Sequence, residues 1–199
     1  MKIKLRVNKR ILILCEDKKS SVYYFKSFKS DEEYKRKLSA VDIEVHHPRS
    51  YDPLGLVREA IKRQKEAIDE KNDYNDIWVV FDKDKHKSIP AAFDLAKENN
   101  INIAISIICF EYWVLLHFEK TTKPFHSCDE LVKYLKNNHY NKYSKSRNCF
   151  DDLRDKLDTA LSNGKWLEKQ IKTHFSNVQK VYSLGAYTNV NKLVEELIK

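Results

Sequence analysis

Two segments of this chain end an apolar run in carboxylates. The run ILILC, Ile11 to Cys15, leads into Glu16 and Asp17, and the run IWVVF, Ile77 to Phe81, leads into Asp82, Lys83, Asp84, Lys85 and His86. On extended backbone, residues two apart point the same way, so Asp82 and Asp84 are expected to face one spot. If the two runs lie side by side, Glu16 joins them. Three converging carboxylates repel one another, and a bound cation relieves the repulsion. Hard oxygen donors of this kind select Mg2+ or Mn2+, with waters and substrate phosphates completing the shell. A D-x-D after a strand also suits a plain turn that caps a helix, because Asp favours both.

The elements that would position these acids follow from the hydrophobic pattern. Arg10 to Cys15 and Ile77 to Phe81 are continuous apolar runs of strand length, as in strands covered on both faces. Val41 to Val45 alternates apolar with acidic residues and reads as an edge-like strand, and Ile101 to Ile108 as a further buried one. Helices are expected between them: from Ser20 or Ser21 to about Leu38, from Asp52-Pro53 onward with Leu56, Val57, Ala60, Ile61 and Ile68 on one face, and from Ser88 and Pro90 to Asn99. Phe110 to Phe118 is apolar all round apart from Glu111 and reads as a buried helix. This alternation predicts an α/β fold, a mainly parallel sheet flanked by helices. Past Lys120 the pattern becomes helical, with helices over Cys128 to Asn138, Phe150 to Phe175 and Val190 to Ile198. The expected organisation is an α/β core over residues 1–120 and a mostly helical C-terminal region over 121–199 that packs on it.

In a parallel sheet, ligand sites lie outside the carboxyl ends of the strands, where both acidic segments fall. Glu111 follows the fourth strand almost directly and starts a helix, where a negative charge is favoured. It reads either as a fourth acid of the site or as a carboxylate serving backbone donors. His117 reads as a core histidine, while His86 is placed to meet a phosphate or leaving group or to sit on a loop surface.

The chain carries 37 Lys and Arg against 29 Asp and Glu, a net charge of +8. That balance fits a polyanion partner, most often nucleic acid, or a surface simply solvated by lysine. The segment HYNKYSKSRN, His139 to Asn148, places Lys142, Lys145 and Arg147 among Tyr140 and Tyr143. Cations for phosphates and rings for bases suit a single strand, and Lys83 and Lys85 would add charge beside the acids. Only three glycines are present and no Walker-type loop occurs, so an ATP-driven step would need another chain. The four cysteines show no C-x-x-C spacing. Cys15 and Cys109 read as small core residues with reduced thiols. No secretory h-region and no membrane-length apolar run is found, so a cytoplasmic protein is expected.

An acid ending the first strand and D-x-D ending a later strand of a small parallel domain is similar to the Toprim pattern of topoisomerases, primases and certain nucleases. The segments ILILCEDKKSSVYYFKSF, WVVFDKDKH, ISIICFEYWVLLHF and YTNVNKLVEEL together resemble the RloB-like family, found beside prokaryotic restriction and abortive-infection genes. The resemblance implies a Toprim-like core, with Glu16 as its glutamate, Asp82 and Asp84 as its metal-binding pair, and Glu111 in its F-E-x-W-x-L-x-H-F block. It also implies a metal-dependent nuclease or related phosphoryl-transfer enzyme in antiviral defence. Alternatives are a non-catalytic nucleic-acid-binding subunit acting with an ATPase encoded nearby, or a nucleotide binder using the same edge. Two positions depart from the family pattern. Asp17 stands where Gly is usual, and Ile107-Ile108 where Asn-Pro is expected before the Phe-Glu block.

Overall fold

A computed structural model describes residues 9–32, 41–47, 52–83, 86–174 and 180–198. Four strands form one parallel sheet: β1 (Lys9–Cys15), β2 (Val41–His46), β3 (Asp76–Asp82) and β4 (Asn102–Ser106). Their spatial order is β2-β1-β3-β4. The chain steps outward from β1 to β2, then returns to lay β3 on the other side of β1. The order therefore reverses between β1 and β3, and a crevice opens at their carboxyl ends. The register sets Cys15 opposite Val80, so Glu16 and Asp82 emerge from adjacent strands.

The apolar runs are unbroken because both faces of the sheet are covered. Ile11, Ile13, Trp78, Val80 and Ala104 face one side; Leu12, Leu14, Ile77, Val79, Phe81 and Ile105 face the other. Helices α2 (Pro53–Asp69) and α3 (Ile89–Glu98) cover the second side. Asp52 Oδ1 accepts from the Gly55 N–H at 3.0 Å, which starts α2 as the Asp-Pro pair predicts. Asn100, at φ 54°, turns the chain out of α3.

The first side receives α1 (Ser20–Ser30), α4 (Glu111–Leu116), α5 (Cys128–Asn138), α6 (Phe150–Leu153), α7 (Leu157–His174) and α8 (Val190–Ile198). Leu131, Leu153, Leu167 and Leu193 share one buried cluster with Ile11 and Ile13. At its centre Trp113, Tyr24, Phe25, Phe110 and Phe150 are buried, several in edge-to-face contact.

Three expected boundaries shift. α1 ends at Ser30, and its expected extension falls largely on residues 33–40, outside the described residues. The helix expected over Phe150 to Phe175 is interrupted by a 3-10 turn at Arg154–Lys156, and its last residue is outside the described set. β4 stops at Ser106, because Ile107 and Ile108 turn away from the sheet; Ile108 has φ 85°. A β-branched residue in that region is strained, and the turn it makes brings Glu111 to the sheet's carboxyl edge. The free edge of β4 is closed by the C-terminal segment. Ile107 N–H donates to Tyr187 O, while the Asn189 side chain accepts from Ile105 N–H and donates to Ile103 O. One asparagine thus mimics a short stretch of partner strand and leaves the edge less open to other chains.

Candidate metal and phosphate site

Glu16 extends β1 by one residue, its N–H donating to Val80 O at 2.9 Å. Its carboxylate bridges the crevice. Oε2 accepts from the Asp82 N–H at 3.1 Å, and Oε1 lies 2.6 Å from His86 Nε2. Two contacts from the neighbouring strand and loop fix its direction. Asp82 ends β3 with few favourable neighbours: burial pushes its carboxyl well above the usual carboxylate range, and the charges of Glu111, Asp17 and Glu16 push it the same way. Lys145 opposes them.

Asp17 has a local task. Its carboxylate accepts from the backbone N–H groups of Lys19, at 2.7 Å, and Ser21, and from the Ser21 hydroxyl. These donors belong to the start of α1, which otherwise lacks a side-chain cap. The Asp17 charge is thus held against the helix start.

Glu111 is 1% exposed and strongly satisfied. Oε1 accepts from Ser20 Oγ at 2.8 Å and from Tyr143 OH at 2.5 Å. Lys145 Nζ lies 3.7 Å from Oε2. The Tyr143 phenol is pushed far above its ordinary range by burial and by Glu111. Glu111 therefore lines the acidic crevice and accepts from buried side-chain hydroxyls, in place of the backbone donors expected of a carboxylate at a helix start. These groups surround a cavity of about 210 Å³ whose wall includes Asp17, Asp82, Glu111, Lys18, Lys19 and Lys145. A larger cavity, about 500 Å³, lies among Pro124, Trp166, Ile171 and Leu184 and carries no carboxylate or lysine, so it offers no acidic cluster to a hard cation.

The structure therefore brings together Glu16, Asp82 and Glu111, with Lys145 beside them. Asp84 and Lys85 lie outside the described residues. Lys83 continues the strand pairing, its N–H donating to Ser106 O. By alternation its side chain leaves the sheet on the face opposite that of Asp82.

The basic loop divides in two. Lys142, Lys145 and Arg147 are exposed, but Tyr140 and Tyr143 are not. Tyr140 donates to Asp152 Oδ2 and Tyr143 to Glu111, and both rings pack in the core. The expectation that these tyrosines stack on bases is corrected by their burial, which hides the ring faces. His117 is buried. Its Nδ1 donates to Trp113 O at 3.0 Å, and burial lowers it to about 4, so it is a neutral core residue.

Sequence reasoning did not identify Ser20 as a partner of Glu111, because 91 residues separate them. It also missed that Cys109 and Cys128 form a disulfide. The expectation of a reduced, purely packing Cys109 is corrected accordingly. The buried sulfur of Cys109 meets that of Cys128 because the turn at Ile108 and the start of α5 converge beside Glu111. Cys109, Glu111 and Cys128 offer donor atoms within 4.8 Å of one another, but the two sulfurs are spent on each other.

Among the described residues no helix is long and apolar enough to cross a membrane. The family model described as RloB-like protein matches residues 11–197, which include every acid of the site. No curated protein matches the chain.

Proposed function

The chain belongs to the RloB-like family, and we propose that it is a metal-dependent nuclease, or a related phosphoryl-transfer enzyme acting on nucleic acid, that serves in defence against phage. The observation that carries this reading is the state of Asp82. Its carboxyl sits at the point where the strand order reverses, pushed upward by burial and by three neighbouring acids. A fold that gathers like charges at its ligand-binding edge gains most from a cation there.

The donor set fits a hard divalent ion. Glu16 and Asp82 would hold Mg2+ or Mn2+, with Asp84 the further expected ligand, and the ion would supply Lewis-acid polarisation of a phosphate and a water of lowered pKa. The residues of the chain do the rest. The Asp82 N–H and His86 keep the Glu16 carboxylate aimed across the crevice. His86, 2.6 Å from that carboxylate, can hold a proton at Nε2 and release it toward a leaving oxygen. Lys18, Lys19 and Lys145 line the cavity wall, where ammonium groups attract a phosphate and oppose the charge that builds on it. Lys142 and Arg147, exposed on the same loop as Lys145, would extend this positive surface for the polyanion, with Lys85 a further expected contact, whereas Lys83 would meet it only from the other face of the sheet. A partner ATPase, if the reaction is ATP-driven, and a cytoplasmic setting complete the reading.

A second reading has its own support. Asp17 is committed to the start of α1, and one oxygen of Glu111 already accepts from two hydroxyls. Fewer free donor atoms suit a non-catalytic nucleic-acid- or nucleotide-binding subunit. Thermal unfolding with and without Mg2+ and Mn2+ separates the two, because a ligand that binds only the folded state raises its stability. The enzyme reading expects a metal-dependent rise for wild type that Asp82→Ala lacks, together with metal-dependent cleavage of a DNA or RNA panel. A metal-indifferent protein that still binds nucleic acid would establish the second reading.

A further inference from the structure

We propose that Cys109 and Cys128 form a reversible thiol–disulfide pair that fixes the wall of the acidic cavity and exchanges with small thiols and disulfides. Cys109 is buried in the turn between β4 and α4, two residues before Glu111, and Cys128 opens α5. Their bond closes a sequence separation of 19 residues. The other two cysteines, Cys15 and Cys149, are buried and unbonded; burial pushes the Cys15 thiol far up and the Cys149 thiol up to about 12, so neither is a ready thiolate. The pair is therefore set apart from the rest of the thiols by place and by bonding.

The surroundings suit exchange. Cys128 is half-buried and Cys109 buried, so Cys128 is the more accessible of the two to an incoming thiolate. Lys145 Nζ lies 3.0 Å from Cys128 Sγ, and its ammonium can pair with a thiolate there. In the reducing direction a small thiolate attacks Cys128 Sγ, the sulfur–sulfur bond breaks, and the Cys109 sulfur leaves and takes up a proton. A second small thiol then attacks the mixed disulfide and releases Cys128. The sum is two small thiols and the protein disulfide giving one small disulfide and the protein dithiol, and the reverse path uses the same partners.

The consequence reaches the cavity through Glu111. Cys128 Sγ lies 3.3 Å from Glu111 Oε2. In the dithiol state its S–H is a donor to that oxygen; in the disulfide it has no proton to give. The bond also ties the start of α5 to the turn that carries Glu111, while Lys145 and Tyr143 hold the 139–148 loop over both. A mixed sulfur and oxygen set of this kind also suits Zn2+, but an ammonium 3.0 Å from one sulfur disfavours a cation at that place.

The redox pair is independent of the proposed enzyme activity, and its test needs no substrate. Full-length protein is equilibrated over a series of reduced to oxidised glutathione ratios, denatured in acid, alkylated and weighed, and its zinc content is measured. The expected result is a titration from four alkylated cysteines to two, with Cys15 and Cys149 as the pair still labelled, and no bound zinc. The oxidised form should melt about 5–10 °C higher, as a loop of this length implies, and the 139–148 loop should exchange amide hydrogen more slowly. Cys128→Ala, at the half-buried position, should remove the redox dependence of both readouts; Cys109→Ser checks the same point from the other side. Four labelled cysteines at every ratio, or stoichiometric zinc released by thiol modification, would overturn the proposal. Failure of metal to bind at Asp82 would count against the proposed function alone.

Discussion

Two groups of acids on one sheet have opposite surroundings. On the flank of β2, Glu44 accepts from the Tyr74 hydroxyl at 2.8 Å, lies 3.3 Å from His46 and is paired with Arg10. Burial acts to raise it, but those hydrogen bonds and the guanidinium hold its carboxyl below the usual range. At the crevice between β1 and β3, Asp82 meets burial and three other acids, and is pushed far the other way. The Glu44 group is complete within the protein. The Asp82 group keeps a repulsion among its acids that Lys145 opposes, and that contrast separates a structural ion pair from a candidate site.

The largest effect expected from breaking this contrast is on activity. Asp82→Ala should remove the metal-dependent thermal shift and lower metal-dependent cleavage by at least about a hundredfold, as loss of a metal-held charge implies. A variant that cleaves as fast as wild type would exclude Asp82 from the chemistry.

Next in size is Glu111→Ala. It leaves the hydroxyls of Ser20 and Tyr143 buried without their acceptor, at about 2–4 kcal/mol for the two donors, part of which is returned by relief at Asp82. Denaturant unfolding measures it, and Glu111→Gln, which keeps an acceptor, should lose less.

The pH dependence should differ in sign between the two groups. A folded-state carboxyl raised above its unfolded value carries a penalty that is absent below the unfolded pKa and grows as pH rises toward the folded one. Metal-free Asp82→Asn should therefore melt higher than wild type at neutral pH, by about 2–4 °C, and equal it in acid. A lowered carboxyl such as Glu44 stabilises above its unfolded pKa and loses that contribution as pH falls through the folded value. Glu44→Gln should cost about 1 kcal/mol at neutral pH and nothing in strong acid. Parallel pH–melting curves for both variants would contradict an opposition between the two groups.

The smallest effect is expected for Asp17→Gly. Loss of the contacts to Lys19 and Ser21 should cost about 0.5–1 kcal/mol, offset in part by one less charge near Asp82. Metal affinity measured by calorimetry should fall if Asp17 also serves as a ligand, and hold if it serves only α1.

The four strands and the helices between them could be read from local pattern, because covering both faces of a parallel sheet demands unbroken apolar runs, and Asp-Pro and Asn-Asn mark helix ends. Glu16 and Asp82 were legible for the same reason: each directly ends such a run. Tyr143 misleads because an aromatic among lysines carries no mark of burial. Whether its ring faces solvent or core depends on Glu111, 32 residues away, and on the packing of α6 and the loop before it.

By itself, then, the sequence determined which segments are strands and that acids stand at their ends, since periodicity and end residues act over a few positions. Tertiary structure alone decided that β3 lies beside β1, that Asp17 serves the start of α1, that Ser20 and Tyr143 close on Glu111, and that Cys109 meets Cys128. These pairings join residues far apart in the chain, or fix one side-chain choice among several. Their free energy comes from burying both sheet faces together, a quantity that no short window of sequence contains.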